Sequence, residues 1–229
     1  LNARKWDPFA RKKRYLLEPR VLRRIAKEAA ALPVSVKEKN AYIIQELAKT
    51  YPGHICTQQS WIFNNAGGAM GQMTLLHASL REYLILFGTG VGTEGHSGRY
   101  SAEVFDFVYD GEMWCTLEGQ SHRMSFTNGK GAYLPCGRTK QYRIPDHGWM
   151  LEYGRGNESI ITMFPFGLAD STLSTLDHMV VFRTLYHYAH LVTWQLLTKG
   201  KDLDVLFKWI LKGILIFGAV FLIFKFLAF

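Results

Sequence analysis

From Trp61 to about Phe166 the chain breaks into short apolar runs punctuated by glycine, and all but three of its 21 glycines lie between Gly53 and Gly167. A segment interrupted this often does not sustain a long helix, because glycine loses the most conformational freedom when it is ordered there. The runs TLLHASLREYLILFG, SAEVFDFVYDG, SHRMSFTNG, KQYRIP and GWMLEYGRG read instead as strands joined by tight turns, Asn128-Gly129 among them. Strands spaced this closely imply a barrel or a sandwich. In 229 residues, one such domain with appendages is expected rather than two compact ones.

The flanks have helical spacing. Val21, Leu22, Ile25 and Ala29 fall on one side of residues 20–31, and Pro33 stops that helix. Ser35 and Glu38 then open a second helix at capping-box spacing, with Ala41, Ile44, Leu47 and Ala48 on one stripe and Pro52-Gly53 at its end. After Pro165 the stretch STLSTLDHMVVFRTLYHYAHLVTWQLLTKG returns to helix, with Leu176, Val180, Leu185, Tyr188, Val192 and Leu196 among its apolar positions. Val205 to Phe224 is interrupted only by Lys208 and Lys212, and is roughly the length that crosses a bilayer core. It predicts a C-terminal transmembrane helix, with Lys208, Lys212 and Lys225 snorkelling to the interfaces and Trp209 in an interfacial belt.

The formal charge of +8 suggests nucleic acid until it is located. Nine basic side chains against Asp7 and Glu18 fall within the first 24 residues, and the remainder is nearly neutral. Charge confined to one arm, with no stacking motif, argues against a nucleic-acid binder and suits lipid headgroups. Three units follow: a basic arm at 1–19, a barrel domain with flanking helices at 20–202, and the apolar helix at 203–229. The glycines make no phosphate cradle, since Gly88, Gly90 and Gly92 precede no helix and no lysine and hydroxyl follow Gly71. Cys56, Cys115 and Cys136 have no metal spacing, the histidines show neither HxH nor HExxH, and no metal or cofactor is expected. Asn157 opens an N-glycosylation pattern, NES, which chance produces often.

Two carboxylates stand out. In AEVFDFV, alternation puts Val104, Asp106 and Val108 on one face and Glu103, Phe105 and Phe107 on the other. In WMLEYG, Glu152 shares its face with Met150 while Trp149, Leu151 and Tyr153 point away. A carboxylate on an inward strand face must be paired, hydrogen-bonded or protonated, because burial disfavours its charge. Two in one apolar barrel either divide into a neutral acid and an ionised base or form structural pairs with Arg99, Arg155 or a tyrosine.

WIFNNAGGAMGQM, LLHASLREYLILFGTGVGTEGHSGRY, MLEYGRG and PFGLADSTLSTLD resemble the family that contains fungal C-8 sterol isomerase and the mammalian sigma-one receptor, from roughly Tyr15 to Lys199. The resemblance leans to the isomerase in NNAGGAMGQM and GTEGH, and to the receptor in GHSGRY and LEYGRG. It implies a mainly-β fold, a cupin-like barrel around an apolar pocket, with two C-terminal helices resting on a membrane. It also implies that Asp106 and Glu152 are the functional acid pair, that Tyr83 holds one acid, and that Glu82 lies beside it. Glu103, Trp149 and Phe107 complete the ligand-binding candidates, Glu103 as a reserve acid.

The implied chemistry moves a sterol double bond from C8 to C7 by protonation, a carbocation and deprotonation, without a cofactor. Expected ligands are a sterol or a cationic amphiphile that imitates the cation, together with membrane lipid. The alternative is a non-catalytic relative, a ligand-binding or structural accessory subunit of a membrane complex. Either reading allows a homo-oligomer or a subunit, in the endoplasmic reticulum or, given the basic start, in the mitochondrial inner membrane.

Overall fold

Helix α1 (Pro19–Ala31) begins on a proline, whose fixed φ suits a first turn, and stops ahead of Pro33. Helix α2 (Val36–Thr50) carries the expected capping box, with Ser35 Oγ accepting from Glu38 N and Glu38 Oε2 accepting from Ser35 N at 2.9 Å. The structure is a computed structural model and describes residues 8–9, 14–156, 164–200, 202–208 and 210. The rest of the basic arm, Asn157 and residues 211–229 lie outside the described residues.

Among the described residues nine strands form one sheet: β1 (Ile62–Ala66), β2 (Ala69–Ala78), β3 (Glu82–Thr89), β4 (Thr93–His96), β5 (Ala102–Leu117), β6 (Met124–Thr127), β7 (Gly131–Leu134), β8 (Lys140–Ile144) and β9 (Gly148–Gly156). Their order is β1-β2-β3-β9-β5-β8-β4, with β6 and β7 also paired to β5. The two ends of this path come together where Gly67 O accepts from His96 N at 2.8 Å, so the sheet curls into a nearly closed barrel. Gly95 sits at that seam, where a Cβ would lie 2.5 Å from both Gly67 O and Ala69 N; only glycine lets the edges approach so closely.

The two faces of the sheet bury different things. Leu84, Leu86, Phe105, Phe107, Leu151 and Tyr153 point outward and pack with Leu22, Ile25, Ile43 and Leu47 of α1 and α2. Each such side chain contributes roughly 1.5–3 kcal/mol relative to exposure in water, so the two N-terminal helices are part of the barrel's core rather than an appendage. The α2 stripe is shifted from the expected one, because Ile43 is buried and Ala41 is exposed. On the inner face Tyr83, Ile85, Phe87, Val108 and Met150 meet Tyr188, Leu191 and Val192.

The C-terminal helical stretch is two helices, α3 (Phe164–Leu173) and α4 (His178–Lys199). Leu176 adopts a left-handed φ of 55° and Asp177 caps α4 by accepting from Val180 N at 3.0 Å, which ends one helix and starts the next.

The transmembrane helix expected from Val205 is corrected: among the described residues no helix is long and apolar enough to cross a membrane. The start of that stretch is committed to the barrel. Val205 is buried in the inner core, and Arg81 pairs with both Asp202 and Asp204 beside it. Its first apolar side chain is therefore used for packing on protein, which a hydropathy reading does not distinguish from packing on lipid.

Candidate active site in the barrel

Strands β3, β9 and β5 lie side by side, and their register sets Ile85, Glu152 and Asp106 in one row across the inner face. Directly opposed side chains on neighbouring strands have Cβ atoms about 4.5–5.5 Å apart, so the two acids are immediate neighbours. They line a cavity whose space, mouth included, is about 980 Å³. Apolar walls come from Met73, Leu75, Phe87, Val104 and Leu134, with Leu168 and Thr184 supplied by α3 and α4.

The acids are held differently. Glu152 accepts a hydrogen bond from Tyr83 Oη at 2.7 Å. Burial, reinforced by the Asp106 charge, pushes its pKa up to about 7, against the opposing pull of the Tyr83 hydrogen bond and Lys140. Tyr83 in turn is pushed well above the ordinary tyrosine range by burial and by Glu152, so it remains a donor. Asp106 accepts a hydrogen bond from the buried ammonium of Lys140 on β8. Burial disfavours that ammonium, but Asp106, joined by Cys115 and Glu152, holds the lysine pKa above its usual value. The site thus contains a carboxyl that keeps its proton to near neutral pH, beside an ion-paired carboxylate.

Of the seven candidates, Tyr83, Asp106 and Glu152 line the cavity. Glu82, Glu103, Phe107 and Trp149 lie on the opposite face of the sheet. Glu82 accepts from Leu16 N at 2.6 Å, Leu17 N at 3.1 Å and Tyr153 Oη at 2.9 Å, tying the N-terminal segment to the barrel. Glu103 accepts from Arg155 Nε at 2.9 Å and Tyr133 Oη at 2.8 Å. Phe107 stacks on Phe105, and Trp149 meets Trp61 edge to face. Lys140, Tyr142 and Thr184, none of them among the seven candidates, also line the cavity. Alternation in KQYRIP, with Lys140 and Tyr142 on the face of the buried Ile144, was the available signal for the first two.

Gly154 seats the Tyr83 ring. The two residues are paired across β3 and β9, and a Cβ on Gly154 would lie 2.1 Å from Tyr83 Cε1. Gly154→Ala should therefore displace Tyr83 from Glu152, cost about 1–3 kcal/mol as overpacking does, and leave Glu152 protonated to higher pH. Denaturant unfolding and an infrared titration of the protonated carboxyl band check this. An unchanged midpoint with an unchanged titration would refute the seating role.

The family described as ERG2 and Sigma1 receptor like protein matches residues 3–200. Protein erg2 homolog of Dictyostelium discoideum is 39% identical over 185 residues, 81% of this chain and 78% of that one. C-8 sterol isomerase of Pyricularia oryzae is 44% identical over 131 residues, 57% of this chain and 58% of that one. Sigma non-opioid intracellular receptor 1 of Gallus gallus is 39% identical over 178 residues, 77% and 78% of the two chains. Among solved structures, an RmlC-like cupin from Shewanella frigidimarina is 16% identical with a TM-score of 0.37, over 43% of this chain and 84% of that one. With the family's match running through both N-terminal helices, every strand and α4, the chain belongs to the ERG2 and Sigma1 receptor like protein family.

Proposed function

We propose that this chain is a sterol double-bond isomerase that works by proton transfer from a carboxyl group inside the barrel. The observation that carries the reading is the Asp106–Glu152 row in an apolar cavity, where burial and the Asp106 charge push the Glu152 pKa up to about 7. In this reading neutral Glu152 protonates C9 of a Δ8 sterol and the cation forms at C8. The facing carboxylates stabilise it and take up a C7 proton, which leaves a Δ7 sterol and restores the site's proton count. Tyr83 positions Glu152 by its hydrogen bond. The resemblance to a C-8 sterol isomerase supports the substrate class.

An apolar substrate must come from lipid. Helix α4 exposes Met179, Phe182, Leu185, Tyr186 and Leu197, and this supports a seat on a membrane surface from which a sterol reaches the cavity. A second reading, a non-catalytic ligand-binding relative, is favoured by Lys140, which engages one of the two acids.

The test is conversion of a Δ8 sterol by the purified chain in detergent and deuterated water, resolved by gas chromatography and mass spectrometry. The wild type should yield a Δ7 product carrying one deuterium. Conversion should fall as pH rises through about 7, because the donor is then lost. Glu152→Gln keeps an acceptor for Tyr83 but cannot donate the proton, and should reduce the rate about 10²–10⁴-fold, the range for general acid catalysis. A folded wild type with no conversion leaves the second reading.

A further inference from the structure

Besides its tyrosines, the described cavity lining has four ionisable side chains: His96, Asp106, Lys140 and Glu152. Lys140 and Asp106 are only 6% and 3% exposed, so each charge depends on the other rather than on water. The seat of Lys140 is fixed. Its backbone N donates to Ser97 Oγ at 2.9 Å, and its carbonyl accepts from Ser97 N at 3.0 Å. The ammonium reaches Asp106 and lies 5.7 Å from the centroid of the Tyr142 ring.

We infer that Lys140 determines the ligand class of this cavity: its ammonium is a built-in counter-cation to Asp106, which directs the site to uncharged amphiphiles and against cationic amines. A ligand ammonium that sought Asp106 would have to expel Lys140 or sit beside a like charge in a poorly solvated space, and both are unfavourable. An uncharged amphiphile meets neither penalty. A second feature suits a neutral, hydroxylated ligand: Thr184 on α4 is 1% exposed, lines the same cavity, and its Oγ1 has no hydrogen-bond partner among the described residues. The inference rests on the cavity being the ligand site, as proposed above, and does not require that it catalyse isomerisation.

Calorimetric titration of the full chain in detergent with phenylbutyl dimethylamine and with phenylbutanol tests it. The wild type should bind the two within about threefold of each other, and Lys140→Met, which uncovers Asp106, should bind the amine at least about tenfold more tightly while the alcohol changes little. Lys140→Arg keeps the charge and should keep the wild-type ratio. A wild type that prefers the amine by about tenfold or more, or a folded Lys140→Met with no gain for the amine, overturns the inference. Should Lys140→Met fail to fold, the wild-type ratio decides alone. Sterol conversion by the same preparation separates the two readings. The expected ratio without turnover discards the isomerase and keeps the inference, turnover with amine preference does the reverse, and binding of neither compound without turnover overturns both.

Discussion

Asp106→Asn is expected to lower the unfolding free energy by about 3–5 kcal/mol, the range for breaking a buried ion pair by removing one partner. The loss comes mainly from the lysine left behind. Lys140 is nearly inaccessible to solvent, and burial alone disfavours its charged form; Asp106 keeps it protonated. Without that carboxylate the ammonium must shed its proton, move toward the mouth, or stay charged in an apolar wall. Adding Lys140→Met to Asp106→Asn removes the stranded charge and should recover most of the loss, since uncharged replacements of buried pairs are often neutral or stabilising. Denaturant unfolding of the wild type, both single variants and the double variant gives the coupling directly. Additive effects, or a loss below about 1 kcal/mol for Asp106→Asn, would show that the pair is not formed. Loss of turnover in Asp106→Asn is therefore ambiguous between chemistry and folding, which is why Glu152→Gln is the cleaner catalytic test.

Alternation made part of this site legible. Period two separates Val104, Asp106 and Val108 from Glu103, Phe105 and Phe107, and the structure has the first set inside and the second outside. The same rule places Glu82 opposite in direction to its neighbour Tyr83, and Trp149 opposite to Met150. Glu82, Glu103, Phe107 and Trp149 each stand next to an inward residue in sequence, and on a strand adjacency means opposite faces. For Lys140 alternation gives the face but not the partner. The lysine pairs with Leu117 at the far end of β5 and meets Asp106 only because the sheet curls, and neither that register nor that curl is contained in the five residues of β8. The C-terminal stretch shows a third limit. Apolar composition reports that side chains leave water but not what receives them, and Val205 is received by the barrel.

The outer face holds a second charged row, Glu82–Arg155–Glu103, three positions along the strands from Ile85–Glu152–Asp106. Arg155 has no solvent exposure. It bonds Glu103 through Nε, donates from Nη2 to Pro8 O at 2.8 Å, and lies 5.3 Å from the Tyr15 ring centroid and 5.0 Å from that of Phe105. Arg155→Met fills a similar volume but leaves Glu103 and Glu82 with a cation fewer between them. The expected cost is about 3–5 kcal/mol, with faster proteolysis of the segment before α1. Arg155→Lys should not restore the wild type, because one ammonium cannot reach Glu103 and the Pro8 carbonyl together while stacking on two rings. Because this row faces away from the cavity, the molecules of Arg155→Met that remain folded should keep the wild-type preference between amine and alcohol, whereas Lys140→Met changes it. Two buried ion pairs, the outer one between β9 and β5 and the inner one between β5 and β8, thus have separable roles: the outer pair fastens the N-terminal segment to the barrel, and the inner pair sets the charge of the cavity. An Arg155→Met protein that unfolds within about 1 kcal/mol of the wild type, or that acquires amine preference, would contradict that division.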